Sequence, residues 1–116
     1  MADDATLIRR LWALLNARAF EEAGRLLHPE VDWEGILEGQ RLHGPAEVIA
    51  YWERMMAYVR PESAIIDLQT RPDGGVAVRL SHVLRRPGGA FWGAEDVTQV
   101  FRFDDGRIIR MDAEDA

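Results

Sequence analysis

The stretch from Gly74 to Ala113 constrains the fold most, because it has the pattern of three antiparallel strands joined by two tight turns. Pro87-Gly88-Gly89-Ala90 suits a hairpin in which Gly88 and Gly89 form the central pair. Asp104-Asp105-Gly106 suits a second hairpin, with glycine in the left-handed position. The strand segments between these turns are GGVAVRLSHVLRR, FWGAEDVTQVFRF and RIIRMDA. The stretch therefore predicts a long antiparallel sheet.

The two faces of this sheet differ in polarity. The first turn places His82 opposite Glu95 and Val78 opposite Gln99, and a three-residue second loop places Gln99 opposite Met111 and Val97 opposite Ala113. A period of two is typical of strands with one buried face. The predicted inner face consists of Val76, Val78, Leu80, Val97, Phe101, Ile109 and Met111, with His82, Glu95 and Gln99 among them. Polar groups on such a face require partners, a wet cavity or a ligand.

The opposite face carries Arg79, Arg85 and Arg102. These side chains meet either solvent or a second subunit. We expect a homodimer that associates through this outer face.

The segment before the sheet has helical periodicity. Asp4 to Ala17 predicts an amphipathic helix, Ala19 to Leu27 a second helix, and Gly44-Pro45 begins a third that Pro61 ends. Val31 to Glu34 predicts a short strand, and Ser63 to Arg71 predicts another with Ala64, Ile66 and Leu68 on one face. The order predicts a single α+β domain over residues 1–116. Three N-terminal helices pack on a strongly curved antiparallel sheet, forming a cone that encloses a pocket.

Composition excludes several kinds of chemistry and partner. The 116 residues carry a formal net charge of −6, so nucleic acids and anionic membranes are poor partners. The chain contains neither cysteine nor lysine, which excludes thiol and Schiff-base chemistry. The histidines lack metal-ligand spacing, and we expect neither a metal nor another cofactor. The N-terminal MADDATL lacks a long apolar run, so we expect a cytoplasmic protein without a signal peptide or membrane span.

Four motifs together give a family resemblance. They are the helical hairpin, a V-x-W-E strand, a G-P-A-E-V-I helix start and an F-R-F-x-D-G-R-I hairpin near the end. This order resembles the SnoaL-like branch of the nuclear transport factor 2-like superfamily. That superfamily includes ketosteroid isomerases, polyketide cyclases, epoxide hydrolases, dehydratases and non-catalytic binding modules. The resemblance therefore implies the fold and leaves the activity open.

Comparison with ketosteroid isomerases implies roles for individual positions. Glu34 matches the general base, Gln99 matches a neutral aspartate of the oxyanion hole, and Leu11 stands where the isomerases have a tyrosine donor. Tyr51 and Trp52 are similar to their aromatic pair. Loss of one oxyanion donor costs on the order of hundreds-fold in rate, which argues against the familiar steroid isomerisation. Epoxide hydrolases of the superfamily need an inward arginine, and the predicted inner face has none.

Each candidate residue also has a purely structural explanation. Glu34 is either a base with a raised pKa on an apolar wall or a surface residue at a strand end. Gln99 either donates to a carbonyl or oxyanion, or satisfies a neighbouring polar group. His82 and Glu95 are either an oriented acid/base pair or a cross-strand ion pair at the pocket rim.

The leading hypothesis is a protein that binds a small hydrophobic molecule in a pocket. If it is an enzyme, we expect a cofactor-free isomerase, lyase or cyclase that moves a proton next to a carbonyl. Glu34 would be the base, Gln99 the donor and His82 a second acid/base. The alternative is a non-catalytic binding or dimerisation module whose interior is filled by its own side chains. The predicted ligand contacts are Leu11, Leu15, Trp33, Tyr51, Trp52, Met55, Val78, Leu80, Glu95, Val97, Phe101 and Met111.

Overall fold

A computed structural model describes residues 3–35 and 39–114. The helices are α1 (Asp4–Asn16), α2 (Phe20–Gly24) and α3 (Pro45–Tyr58). The strands are β1 (Leu27–Gly35), β2 (Gln40–His43), β3 (Arg60–Thr70), β4 (Val76–Arg85), β5 (Phe91–Asp104) and β6 (Arg107–Glu114). In the described part of the chain, no helix combines the length and apolar character needed to cross a membrane.

The six strands form one mixed sheet in the order β2-β1-β6-β5-β4-β3. Strand β1 runs parallel to β6, whereas the other neighbouring strands are antiparallel. The α+β class is confirmed, but the prediction of a purely antiparallel sheet is wrong. A parallel pair needs a long crossover, and the chain from β2 through β5 supplies it.

Helix α2 is shorter than the predicted helix over Ala19–Leu27. It ends at Gly24, and Leu27 already pairs with Ile108 of β6. The backbone N–H of Ile108 also donates to the carbonyl of Leu26. Sheet pairing therefore overrides the helical periodicity of this segment. The β1–β6 register then shifts between Leu27 and Asp32, where Pro29 lacks a ladder donor.

From Val76 to Leu84, β4 pairs with β5 in the predicted register. The pairs include His82–Glu95, Leu80–Val97 and Val78–Gln99. The predicted turn is wrong, because the register shifts between Leu84 and Arg85, and Arg86 is hydrogen-bonded to Ala90 across a three-residue loop. In this turn only Gly89 has a positive φ, of 98°.

The predicted β5–β6 register is wrong by two residues. Gln99 pairs with Ala113 rather than Met111. One residue of this difference comes from the turn, where Asp105 and Gly106 form a two-residue loop and both have positive φ, and the other comes from the bulge that follows. The register then shifts again, since Phe103 pairs with Ile108 and Arg102 with Arg110. Ile109 is the extra residue of this bulge. Ile108, rather than the predicted Ile109, is therefore fully buried.

A second bulge, at Ile66, changes which side chains of β3 face the core. Ile65 pairs with Leu80 and Asp67 with Arg79, which leaves Ile66 unpaired. Ile66 is 49% exposed, whereas Ile65 and Leu68 pack against the core. The prediction that Ala64, Ile66 and Leu68 share one face is therefore wrong, because the bulge places Leu68 against the core and leaves Ile66 exposed.

The core lies between α1, α3 and the inner face of the sheet. The Trp33 ring meets Trp52 of α3 and Phe101 of β5 edge-on, at centroid distances of 5.4 and 5.9 Å. The end of α1 is fixed to β3 by Asn16, whose amide donates to the Ser63 carbonyl and accepts from the Ser63 N–H, at 2.9 and 3.0 Å. The helices and the sheet therefore share one core, to which α1 is also hydrogen-bonded.

Candidate functional site

A cavity of about 310 Å³ lies between α1, α3 and the inner face of the sheet. Its walls are mainly apolar, and all four tryptophans of the chain belong to them. The lining residues are Trp12, Leu15, Trp33, Glu34, Tyr51, Trp52, Met55, Met56, Val59, Pro61, His82, Leu84, Trp92, Glu95, Val97, Gln99 and Met111. An apolar space with a few polar groups is the usual form of a small-molecule site.

Most of the residues suggested by the sequence lie at this wall. The three candidate catalytic residues Glu34, His82 and Gln99 border the cavity. So do Leu15, Trp33, Tyr51, Trp52, Met55, Glu95, Val97 and Met111. Leu11, Val78, Leu80 and Phe101 do not line it; they are completely buried in the core behind the wall.

Sequence reasoning missed six lining residues: Trp12, Met56, Val59, Pro61, Leu84 and Trp92. Trp12 could have been found, because it precedes Leu15 by three positions and residues so spaced share a helix face. Leu84 also shares the inner face of β4 with His82. The others lie where α3 passes into β3 and where β5 leaves its turn, and no regular pattern marks those places.

Gln99 and Trp12 each bury an unpartnered polar atom. The Oε1 atom of Gln99 and the Nε1 atom of Trp12 have no hydrogen-bond partner. Gln99 is 5% exposed and Trp12 is 7% exposed. An unsatisfied buried donor or acceptor costs about 1–3 kcal/mol. Both atoms have almost no accessible surface, so they lie within the wall rather than facing the cavity.

His82 is held at the wall by a neighbouring strand. Its Nδ1 lies 2.7 Å from the Ser63 Oγ, and its ring lies against Trp12 at a centroid distance of 5.7 Å. Burial lowers the pKa of His82, while Glu95 and Asp96 act in the opposite direction. The imidazole is therefore neutral at neutral pH. Although Glu95 is its cross-strand neighbour, no hydrogen bond or ion pair among the described residues joins the two side chains.

The carboxylate of Glu34 belongs to a charged network. Its Oε1 lies 3.4 Å from Nη1 of Arg41, which pairs with Glu34 across β1 and β2. Arg41 also donates to Asp32 at 2.7 Å and to Asp112 at 2.8 Å. Because Trp33 is buried, alternation along β1 directs the Asp32 and Glu34 side chains to the opposite face of the sheet. Glu34 borders the cavity, but its carboxylate is directed away from it, towards Arg41.

The cavity wall contains little charge. Within the described residues, Glu34 and Glu95 are its only charged lining groups at neutral pH, and no arginine lines it. Residues 3–35 and 39–114 contain no cluster of three or more histidine, aspartate or glutamate side chains that could hold a metal ion. The arrangement can bind an apolar body, form a few directed hydrogen bonds and offer a neutral imidazole.

The SnoaL-like domain family matches residues 8–111 of the chain. No curated protein matches the sequence. A candidate polyketide cyclase from Pseudomonas putida is 22% identical, with a TM-score of 0.80 over 96% of this chain and 90% of that one. A Mycobacterium tuberculosis protein in complex with estradiol-17β-hemisuccinate is 17% identical, with a TM-score of 0.79 over 92% and 88%. TerC, co-crystallised with polyporic acid, is 20% identical, with a TM-score of 0.75 over 93% and 87%. At these identities the structural matches establish the fold.

Proposed function

The chain belongs to the SnoaL-like domain family, and we propose that it binds a small hydrophobic molecule in the cavity between α1, α3 and the sheet. The observation that carries this proposal is the cavity of about 310 Å³. Ligand sites typically enclose roughly 300–1,000 Å³, so this space suits a compact ligand. An interior filled by its own side chains, the other possibility raised by the sequence, would leave no such space.

The solved relatives support a ring-shaped ligand. Estradiol-17β-hemisuccinate and polyporic acid, the molecules held by two of them, both contain flat apolar rings. In this chain Trp12, Trp33, Trp52 and Trp92 line the cavity and offer aromatic surface to such rings. The aromatic walls and the low charge therefore favour a cyclic, mainly apolar ligand.

Binding can be tested by titrating the protein with estradiol and following tryptophan fluorescence and heat release. Because every tryptophan lines the cavity, a bound ring should change the emission. Val97→Phe places a larger side chain in the cavity and should weaken binding by about ten-fold or more. Ile66→Phe, at an exposed position of β3, is the matched control and should bind like the unmodified protein.

The proposal fails if neither estradiol nor any of a panel of smaller apolar ring compounds binds. It also fails if Val97→Phe and Ile66→Phe bind equally well, because the ligand would then sit outside the cavity.

A second candidate function is cofactor-free proton transfer next to a carbonyl, as in an isomerase, lyase or cyclase. The observation that favours it is the neutral His82 at the cavity wall, whose Nδ1 is occupied by Ser63. The Nε2 atom is then the ring nitrogen left for proton transfer. Glu34 is the other candidate base, and its engagement by Arg41 makes His82 the preferred one. Gln99 would orient the substrate.

This candidate predicts that the protein accelerates exchange of the α-protons of 2-tetralone in D₂O, followed by mass spectrometry. His82→Asn should abolish the acceleration while retaining binding of 2-tetralone. Loss of exchange in Glu34→Gln, with His82→Asn unaffected, would instead assign the base to Glu34. An unmodified protein that exchanges no faster than solvent refutes proton transfer and leaves the binding function intact.

A further inference from the structure

We infer that the cavity selects a ring compound with a positively charged amine, which Glu95 and Trp92 bind at the solvent-exposed end of the cavity. The inference rests on the proposed binding function and adds the charge of the ligand to it. An ammonium group on a short chain attached to a flat ring has this form.

The carboxylate of Glu95 is the charge of the lining that a ligand can reach. Glu95 pairs with His82 across β4 and β5, so both side chains lie on the inner face, and Glu95 is exposed to solvent. Within residues 3–35 and 39–114 no hydrogen bond or ion pair engages this carboxylate. The other carboxylate of the lining, Glu34, is directed towards Arg41. Glu95 is therefore the lining carboxylate that can accept a ligand cation.

Trp92 lies at the same end of the cavity because of a bulge. Leu84 pairs with Gly93 and Arg85 with Phe91, which leaves Trp92 as the extra residue of β5. A bulge changes the direction of a side chain relative to the alternation of its strand. Trp92 accordingly lines the cavity while 55% of it is exposed. The exposed end of the cavity thus combines a carboxylate with an indole ring.

The Trp92 ring already interacts with one cation. The guanidinium carbon of Arg86 lies 5.5 Å from the ring centroid, and Arg86 is not part of the lining. Indole is the aromatic side chain that binds cations best. Because more than half of Trp92 is exposed, the guanidinium leaves ring surface open to a second cation. Arg86 is itself exposed, so water and salt screen its repulsion of a ligand amine.

The cavity extends from this exposed end to a buried apolar end. Gln99 lies four positions beyond Glu95 on β5, which is about 13 Å along the strand. The wall on that side includes Trp33, Trp52 and Met111, each at most 2% exposed. A flat ring can bind among these buried side chains while an amine on a short chain reaches the carboxylate.

The charges around the cavity favour a cation over an anion. No arginine of the described chain lines the cavity, and burial lowers the pKa of His82, so its imidazole is neutral at neutral pH. The formal net charge of the whole chain is −6, which attracts cations and repels anions. A ligand carboxylate would lose hydration without gaining an opposite charge in the lining.

A matched series of naphthalenes tests the inference by calorimetry at neutral pH and low salt. The probes are 2-(2-naphthyl)ethylamine, 2-(2-naphthyl)ethanol, 2-naphthylacetate and 2-ethylnaphthalene. The amine should bind about ten-fold more tightly than the alcohol, and the acetate should bind more weakly than the alcohol. High salt should weaken binding of the amine and leave binding of the alcohol unchanged.

Variants assign the preference to the two residues. Glu95→Gln should make the amine and the alcohol bind about equally, and Trp92→Leu should reduce the preference by about three-fold. Asp96→Asn is the matched control, because it removes the same charge from the next position of β5, where the carboxylate pairs with Arg79 on the outer face. It should retain the preference. Retained binding of 2-ethylnaphthalene shows that a variant still forms the cavity.

The outcomes separate this inference from the function on which it rests. If none of the four probes binds, the binding function itself fails. If the neutral probes bind and the amine binds no more tightly than the alcohol, the cavity binds ligands but the inferred charge is wrong. An amine preference that persists in Glu95→Gln, or disappears equally in Asp96→Asn, also overturns the inference. If the acetate binds best and loses this advantage in Arg86→Gln, the ligand is an anion held by Arg86.

Discussion

The imidazole of His82 shows how one side chain can make stability depend on pH. It is buried between Trp12 and Ser63, and burial lowers its pKa below the ordinary value near 6.5. The charged groups that oppose this shift are Glu95 and Asp96 on the facing strand β5. The unfolded chain therefore binds a proton at His82 more readily than the folded chain does.

We expect the free energy of unfolding to fall as the pH decreases from above 6.5 towards 5.5. The stabilising contribution of neutral His82 is fully present above the unfolded pKa and is lost below it, with a slope of at most about 1.4 kcal/mol per pH unit. Urea unfolding of the unmodified protein and of His82→Gln, measured across this range, should give a flatter profile for the variant. His43→Gln, at an exposed histidine, is the control and should retain the slope. A slope that survives in His82→Gln would assign it to other groups.

The sequence predicted correctly which strand candidates lie on the inner face of the sheet. It did not predict which atoms those residues contact. Gln99 and His82 were placed correctly by alternation along their strands. The Ser63 contact of His82 was not foreseen, because it depends on how β3 aligns with β4. The unpartnered Oε1 of Gln99 was also not predictable, since it depends on the side-chain conformation and on every neighbour around it.

At the scale of secondary-structure elements, Arg41 links three strands. It extends from β2, donates to Asp32 of β1 and to Asp112 of β6, and also donates to the carbonyl of Met111. Arg110 of β6 pairs with the same two aspartates. The network therefore joins the parallel part of the sheet, where the β1–β6 pairing is interrupted by a register shift.

We expect Arg41→Met to lower the free energy of unfolding by about 1–3 kcal/mol, because it leaves clustered carboxylates with one arginine instead of two. Arg79→Met is the matched control. Arg79 is more exposed, and within residues 3–35 and 39–114 its one ion-pair partner is Asp96, at 3.4 Å, so its loss should cost less than about 1 kcal/mol. Urea unfolding at neutral pH measures both. Equal losses in the two variants would contradict a special role for the network.

The turns explain only part of which registers could be predicted. The alignment of β4 with β5 was predicted correctly, but its turn was not. Residues 87–89 form a three-residue loop rather than a loop with Gly88-Gly89 as the central pair, and a register shift between Leu84 and Arg85 offsets the difference. The second turn uses two residues rather than three, and the bulges at Ile66 and Ile109 leave no local sequence signal. Bulges depend on how a strand must bend over the core, so they are set by packing rather than by alternation.

At the scale of the whole molecule, the outer face of the sheet combines charged and apolar side chains. Between Arg79, Arg85 and Arg102 this face carries small or apolar side chains, including Ala77 and Val83, that are half-buried in the single chain. This mixed surface supports the expectation of a homodimer.

Sedimentation velocity over micromolar to millimolar concentrations should therefore show a dimer. Val83→Glu should shift the protein towards monomer, because it places an unpaired charge on the interface. Ala57→Glu, on the exposed side of α3, adds the same charge away from the outer face and should leave the dimer intact. A monomer throughout this range, or dissociation by Ala57→Glu alone, would rule out this interface.

The contacts around Asn16 have a consequence for how quickly ligands exchange. Asn16 lies one helical turn after Trp12, and its side chain is hydrogen-bonded to the backbone of Ser63. The Ser63 hydroxyl contacts His82, and the His82 ring packs against Trp12. These four residues therefore form a closed ring of contacts. On the α3 side, the cavity is lined by Met55 and Met56, whose unbranched side chains change rotamer easily. Ligands should therefore enter and leave by displacing the methionines, and variants there should alter residence time more than selectivity.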